Sequence, residues 1–324
     1  MSPMTGNRKI VGGGLAALAL LLTAACGSGS DGGGSDQSND GGKGGTAASG
    51  SPSASPTHAP AKPMAKMPAG TDAGLKIKGR LTVCQGPAGA PFFEGTDSTG
   101  SAAGGTTHEK GFDVDLLTLV GERIGAVPVI SGYNDEMHMI DGTALKQGVC
   151  DIVGGVAPDS PASFPEMSFS VSYFTKDQAI LSKQGAHYTS LDALAGKRVG
   201  ASENDTGQPD ALDTYNSTHS KKIKVTRSRM PEEFYGQLRM NQMDAVVTSN
   251  ARAMNIVAEH PDWGMTASGE FGDRFQARFA VRKDNTALLK QIDAALADAG
   301  GNGQYAKAYR TWFGGEPASV PKGE

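Results

Sequence analysis

The chain has 324 residues, with 34 acidic and 30 basic side chains, a formal net charge of −4 and 6% aromatic residues. A balance this acidic, with no strongly basic stretch, excludes a nucleic-acid partner. Many of the 45 glycines lie before residue 75, so whole-chain averages mix two unlike stretches.

The first stretch opens with Arg8 and Lys9, an apolar run from Ile10 to Ala25, small residues and then Cys26. A spanning helix needs about 20 apolar residues, so the run reads as an export signal over residues 1–25. The small residues before the cysteine resemble the lipobox of bacterial lipoproteins, with Thr23 where that pattern usually has Leu. That resemblance makes Cys26 the lipidated first residue after cleavage; the plainer alternative is ordinary secretion. Arg8 stands alone, which argues against a twin-arginine signal. Residues 26–74 are Gly/Ser/Asp-rich and then Pro/Ala/Lys-rich, too poor in apolar surface to offset their ordering entropy, and are expected to be a disordered tether. The 48 residues after Cys26 would reach on the order of 40 Å.

From Leu75 strands alternate with helices. "RLTVC" predicts a strand, "EKGFDVDLLTLVGERIGA" a helix ending before Gly125, "PVISGY" a second strand, "MIDGTALKQGV" a helix, and "CDIVGGVA" a third strand. "FSVSYFTKDQAILSK" reads as extended. "SLDALAGKRVGASEND" gives a short helix, a strand and a polar turn, and "PEEFYGQLRMNQMDAVVTSN" a helix, a strand and a polar turn. "QARFAVRKDN" precedes two closing helices, "TALLKQIDAALADA" and "GQYAKAYRTWF". This alternation predicts α/β lobes with mostly parallel sheets, whose ligands gather at the carboxyl ends of the strands. In an oxidising compartment Cys84 and Cys150 form either a disulfide or two buried thiols, because a stagger along neighbouring strands can exceed the ~7 Å limit on Cα separation.

Eight motifs in order resemble the extracellular solute-binding proteins of ABC importers for polar amino acids, family 3. They are "RLTV" with "APFFEG", "GFDVDLL", "LKQGVCDIVGGV", "FSVSYF", "SLDALAGKRVG", "MDAVV", "FAVRKDN" and "QYAKAYRTWFG", together covering about residues 75–315. The resemblance implies the two-lobe, type II periplasmic-binding-protein-like α/β fold, with two crossing hinge strands near Tyr173–Ala179 and Phe275–Ala280 and a ligand cleft between the lobes. Lobe 1 is then 75–176 with a return over 276–315, lobe 2 is 177–275, and 316–324 is a tail. The implied function is capture of an amino acid or related small polar solute by hinge closure, for delivery to an ABC permease. The protein would be a monomer, lipid-anchored on the extracellular face of the cell membrane, with no cofactor and no metal.

The resemblance places Phe93, of the Phe92–Phe93 pair, over the ligand. It draws Gly155, Val156, Asp159 and Ser160 to the cleft at the end of the third strand. Asp205 and Thr206 stand at a helix start whose amides favour an anion, and Thr248 and Ser249 end the "DAVV" strand. Ser163 stands where the family has the arginine that clamps the ligand's carboxylate, and Ser249 or Asn250 where it has the aspartate that receives the ammonium. A zwitterion buried without paired charges costs several kcal/mol per ion. Either Arg227, Arg229 or Arg252 reaches the cleft, or the ligand lacks a charge, or the correspondence is offset by several residues. His138 between Met137 and Met139 reads as a surface residue beside core packing, since adjacent helical positions diverge. The protein is read as a binding module and not an enzyme; the alternatives are a dehydratase-like catalyst on the same scaffold and a ligand sensor without transport.

Overall fold

The computed structural model describes residues 60–86, 89–95, 109–132, 136–158, 163–203 and 211–323. Strand β1 (Arg80–Gln85) lies between β2 (Val127–Gly132) and β3 (Ile152–Val156), parallel to both. Helix α1 (Phe112–Ile124) makes the first crossover: Phe112, Leu116, Leu117 and Val120 recur at helical spacing and are all buried. Asp113 and Asp115 lie in its first turn, where the helix dipole favours carboxylates, and Gly125 ends it in the left-handed conformation. The stretch read from sequence as one helix before β3 is two, α2 (Glu136–Ile140) and α3 (Thr143–Lys146). Gly142 breaks it at a φ of 81°, a conformation that most side chains disfavour.

After β4 (Met167–Phe169) the chain enters β5 (Phe174–Lys183) and a second parallel group. There β6 (Arg198–Ser202) lies between β7 (Lys224–Ser228) and β8 (Ala245–Ser249). Helices α4 (Ala211–Thr218), α5 (Glu232–Arg239) and α6 (Asn250–Glu259) cover this group. The polar turn expected after β8 is absent, because α6 begins at once, with Ser249 as its cap.

Strand β9 (Met265–Arg282) is 18 residues long and joins the two groups. Its last residues pair antiparallel with β3 and β4, and its earlier residues with β5, so the path runs β2-β1-β3-β9-β5-β8-β6-β7. Phe174, Thr175 and Lys176 stand opposite Ala277, Gln276 and Phe275 where the chain passes between the groups. Helices α7 (Thr286–Asn302) and α8 (Gln304–Phe313) then return to pack on α1 and form the largest core, around Phe112, Phe279, Leu288 and Leu296.

Two expectations need correction or resolution. Residues 60–74, counted from sequence as part of the disordered tether, lie packed against the body. Lys62 N donates to Asn302 O (3.1 Å), Ala65 N to Asp298 Oδ2 (2.7 Å) and Met67 N to Arg123 O (2.8 Å), while Met64 and Ala73 are buried. Composition averaged over the segment conceals this, because two apolar side chains and a few backbone bonds suffice to dock it. The cysteine alternatives resolve as a Cys84–Cys150 disulfide, with Cα atoms 5.7 Å apart. Cys150 lies before β3, not in it, so strand stagger does not keep it from Cys84. Cys26 lies outside the described residues.

Candidate ligand site at the strand ends

The carboxyl ends of β1 and β3 meet the start of α1 in a group of polar side chains. Gln85 Nε2 donates to Asp113 Oδ2 at 2.9 Å, and both residues are buried. Glycines make room for this pair: a Cβ on Gly154 would overlap the Gln85 side-chain oxygen, and one on Gly155 would lie 3.4 Å from Asp113 Oδ2. Gly155 also has a φ of 69°. Lys176, half-buried on β5, donates to the Gly155 carbonyl at 3.2 Å, its Nζ 4.9 Å from the centre of the Phe92 ring.

Burial pushes the Asp113 carboxyl up to about 6, against the opposing pull of Lys176 and the Gln85 hydrogen bond. Burial pulls Lys176 below the usual amine range, and Asp113 pulls it back up. Burial and the charge of Asp113 hold the Tyr173 hydroxyl well above its ordinary value. The result is a cation over an aromatic ring and beside a carbonyl, backed by a buried carboxylate. Chemically, such a group can hold the anionic end of a small polar molecule.

On the other group of strands, Thr248 is buried near the end of β8, and the Ser249 hydroxyl accepts from Arg252 N at 3.3 Å as the cap of α6. The Arg252 guanidinium lies 5.9 Å from the Tyr235 ring centre and donates to Asn255 Oδ1 at 3.3 Å. Asn250 serves the frame: its Nδ2 donates to Thr175 O at 2.9 Å, and its Oδ1 accepts from Asp177 N at 3.4 Å.

Of the sequence candidates, Gly155 and Val156 lie at this end of β3, and Val156 pairs with Arg278. The choice of Phe93 is corrected: it is 3% exposed in the core, bonded through its backbone to Gly89, whereas Phe92 is half-buried beneath Lys176. Adjacent residues of an extended turn face opposite ways, and the inward one is Phe93. Asp159, Ser160, Asp205 and Thr206 lie outside the described residues. Ser163 is exposed. Arg227 pairs with Asp213 and Arg229 with Glu203, both at 3.1 Å. Gln85, Asp113 and Lys176 were missed. Their signal was present in a polar residue closing the first strand, an Asp in the first turn after it, and a Lys alternating with Phe174 on one strand face.

Two α/β strand groups joined by a long shared strand, with polar side chains at strand ends, define the two-lobed solute-binding class. A model of the bacterial extracellular solute-binding proteins, family 3, matches residues 96–315, and the chain belongs to that family. It is 24% identical over 210 residues to the ABC transporter glutamine-binding protein GlnH of Bacillus subtilis, covering 64% of this chain and 74% of that one. It is likewise 24% identical over 215 residues to the ABC transporter arginine-binding protein 1 of Escherichia coli, covering 65% and 84%. The fold is that of a polar amino acid ABC uptake transporter substrate binding protein from Streptococcus thermophilus (TM-score 0.61, 19% identity, 75% of this chain and 89% of that chain). Among the described residues no helix is long and apolar enough to cross a membrane.

Proposed function

We propose that this protein is the lipid-anchored, extracellular substrate-binding component of an ABC importer, which closes about an amino acid or a related small polar solute. The family match over residues 96–315 carries this reading. The group at the strand ends supplies its chemistry: Lys176 receives the ligand's carboxylate in place of the family's arginine, Phe92 packs along its apolar part, and Gly154 to Val156 allow close backbone approach. From the second lobe, Thr248 and the Arg252–Tyr235 pair are the side chains assigned to the ligand's other end. Asp159, Ser160, Asp205 and Thr206 extend the site, and Cys26 carries the lipid. A single ammonium in place of a guanidinium forfeits the planar two-pronged grip, so the ligand's carboxylate is held as a point charge.

Thermal unfolding of the purified chain against amino acids, amines, organic acids and short peptides tests the reading; the relatives' names put glutamine, arginine and cystine first. A ligand at a thousand times its dissociation constant adds about 4 kcal/mol, and each kcal/mol moves the midpoint of a domain of 150–250 residues by roughly 2–4 °C. The expected result is a shift with a carboxylate-bearing ligand that Lys176→Met reduces. No shift with any panel member would overturn the proposal.

A further inference from the structure

Beside the crossing strands, with Lys176 outside its lining, lies a cavity of about 320 Å³. It is framed by β5, β9, α6, α8 and the tail residues Ala318–Pro321. Lys176 turns to Gly155 O and the Phe92 ring, whereas its neighbour Asp177 lines this cavity. Asp177 is only 6% exposed, and its Oδ1 is buried with no hydrogen-bond partner. Its Oδ2 lies 3.6 Å from Arg274 Nε, but that guanidinium makes its closer contact with Glu270 Oε2, at 2.6 Å. The charged residues lining the cavity are therefore two carboxylates and one guanidinium.

The remaining wall is mixed, with Tyr305, Tyr309 and Met254 beside the polar Thr175, Asn250 and Gln276. Burial pushes the Tyr309 hydroxyl up, and the charges of Glu270 and Asp177 push it further, as expected where the local field is negative. Burial and Glu270 likewise raise Asp177, to about 6, which leaves it ionised at neutral pH. A buried carboxylate oxygen without a donor, on a residue that borders a cavity of this size, is costly unless something donates to it.

We infer that this cavity is a second binding site, separate from the strand-end site, for a small organic ammonium ion whose nitrogen donates to Asp177 Oδ1 and whose carbon chain lies against Tyr305, Tyr309 and Met254. Charge-assisted hydrogen bonding supplies one part of the affinity and cation–π attraction the other. An alkali ion gains nothing from the apolar part of the wall, and an anion is repelled.

The test is calorimetric titration of the full chain with n-butylammonium chloride, with butan-1-ol as the uncharged control and Asp177→Asn and Lys176→Met as variants. Saturable binding of butylammonium is expected, weakened roughly tenfold or more in Asp177→Asn, retained in Lys176→Met, and absent for butanol. Asp177→Asn keeps the side-chain shape, and Glu270→Gln gives a second, milder loss from the cavity mouth. The inference is overturned if butylammonium does not saturate, if butanol binds as well, or if Asp177→Asn leaves binding unchanged. It is equally overturned if only Lys176→Met abolishes binding, since the amine then occupies the strand-end site.

Discussion

Asp113 is a carboxylate whose surroundings favour its neutral form, and that has a measurable consequence. Folded, its carboxyl lies near 6; unfolded, it returns to about 3.8. Between about pH 4 and pH 6 the folded chain therefore holds a proton that the unfolded chain has lost. The contribution of Asp113 to stability is greatest below that window and falls as pH rises through it, by about 3 kcal/mol in all. Denaturant titrations of wild type and Asp113→Asn should show their difference changing in this window and flat above about pH 6.5. An unchanging difference would mean that Gln85 and Lys176 compensate the burial in full. In sequence Asp113 and Asp115 are two acids in the first turn of one helix, with nothing local to tell them apart. What separates them is the third dimension: Asp113 is covered by Gln85, Gly155 and Tyr173, whereas Asp115 accepts from the Trp312 indole at 2.8 Å.

At the scale of elements, the strand-end site depends on how β1 and β3 are held together, and three devices do this. The strands pair in register, Asp151 accepts from Thr82 N and Lys76 N at 2.9 Å each, and the Cys84–Cys150 disulfide ties β1 to the turn before β3. The bridged cysteines are 66 residues apart in sequence, a closure that restricts the unfolded chain by about 4 kcal/mol in the loop-entropy account. Replacing both with serine should lower the unfolding free energy by about 2–5 kcal/mol and weaken ligand binding less than it weakens stability. Equal stability of the bridged and serine forms would place strain in the bridge that offsets its entropy. Periodicity showed these strands because "RLTVC" and "CDIVGGV" are short apolar runs bounded by glycine. The α2–α3 break was harder to read: "MIDGTALKQGV" keeps apolar residues at helical spacing across Gly142, and only the left-handed turn there interrupts it.

At the scale of the whole molecule, the two α/β groups and their joining strand were legible, because each crossover carries its own helix between two short strands. The extent of β9 was not. "FAVRKDN" marks its buried end, but the preceding "MTASGEFGDRF" is half-exposed and polar, and it becomes strand by pairing with β5. If that pair acts as a hinge, ligand should draw the groups together, and small-angle scattering should report a smaller radius of gyration with ligand than without it. An unchanged radius in the presence of a ligand that raises the unfolding midpoint would mean that the site is already closed.

The docked segment 60–74 decides where the chain's N-terminal stretch joins the body. It grips Arg123 at the end of α1, and Asp298 and Asn302 near the end of α7, all in the first strand group and its returning helices. None of these contacts touches β5 or the helices over β6, β7 and β8. A force that reaches the body at residue 60 therefore loads a single lobe and bypasses the crossing strands. Were the second lobe to move on the crossing strands, a load entering at that point would neither pry the lobes apart nor clamp them shut.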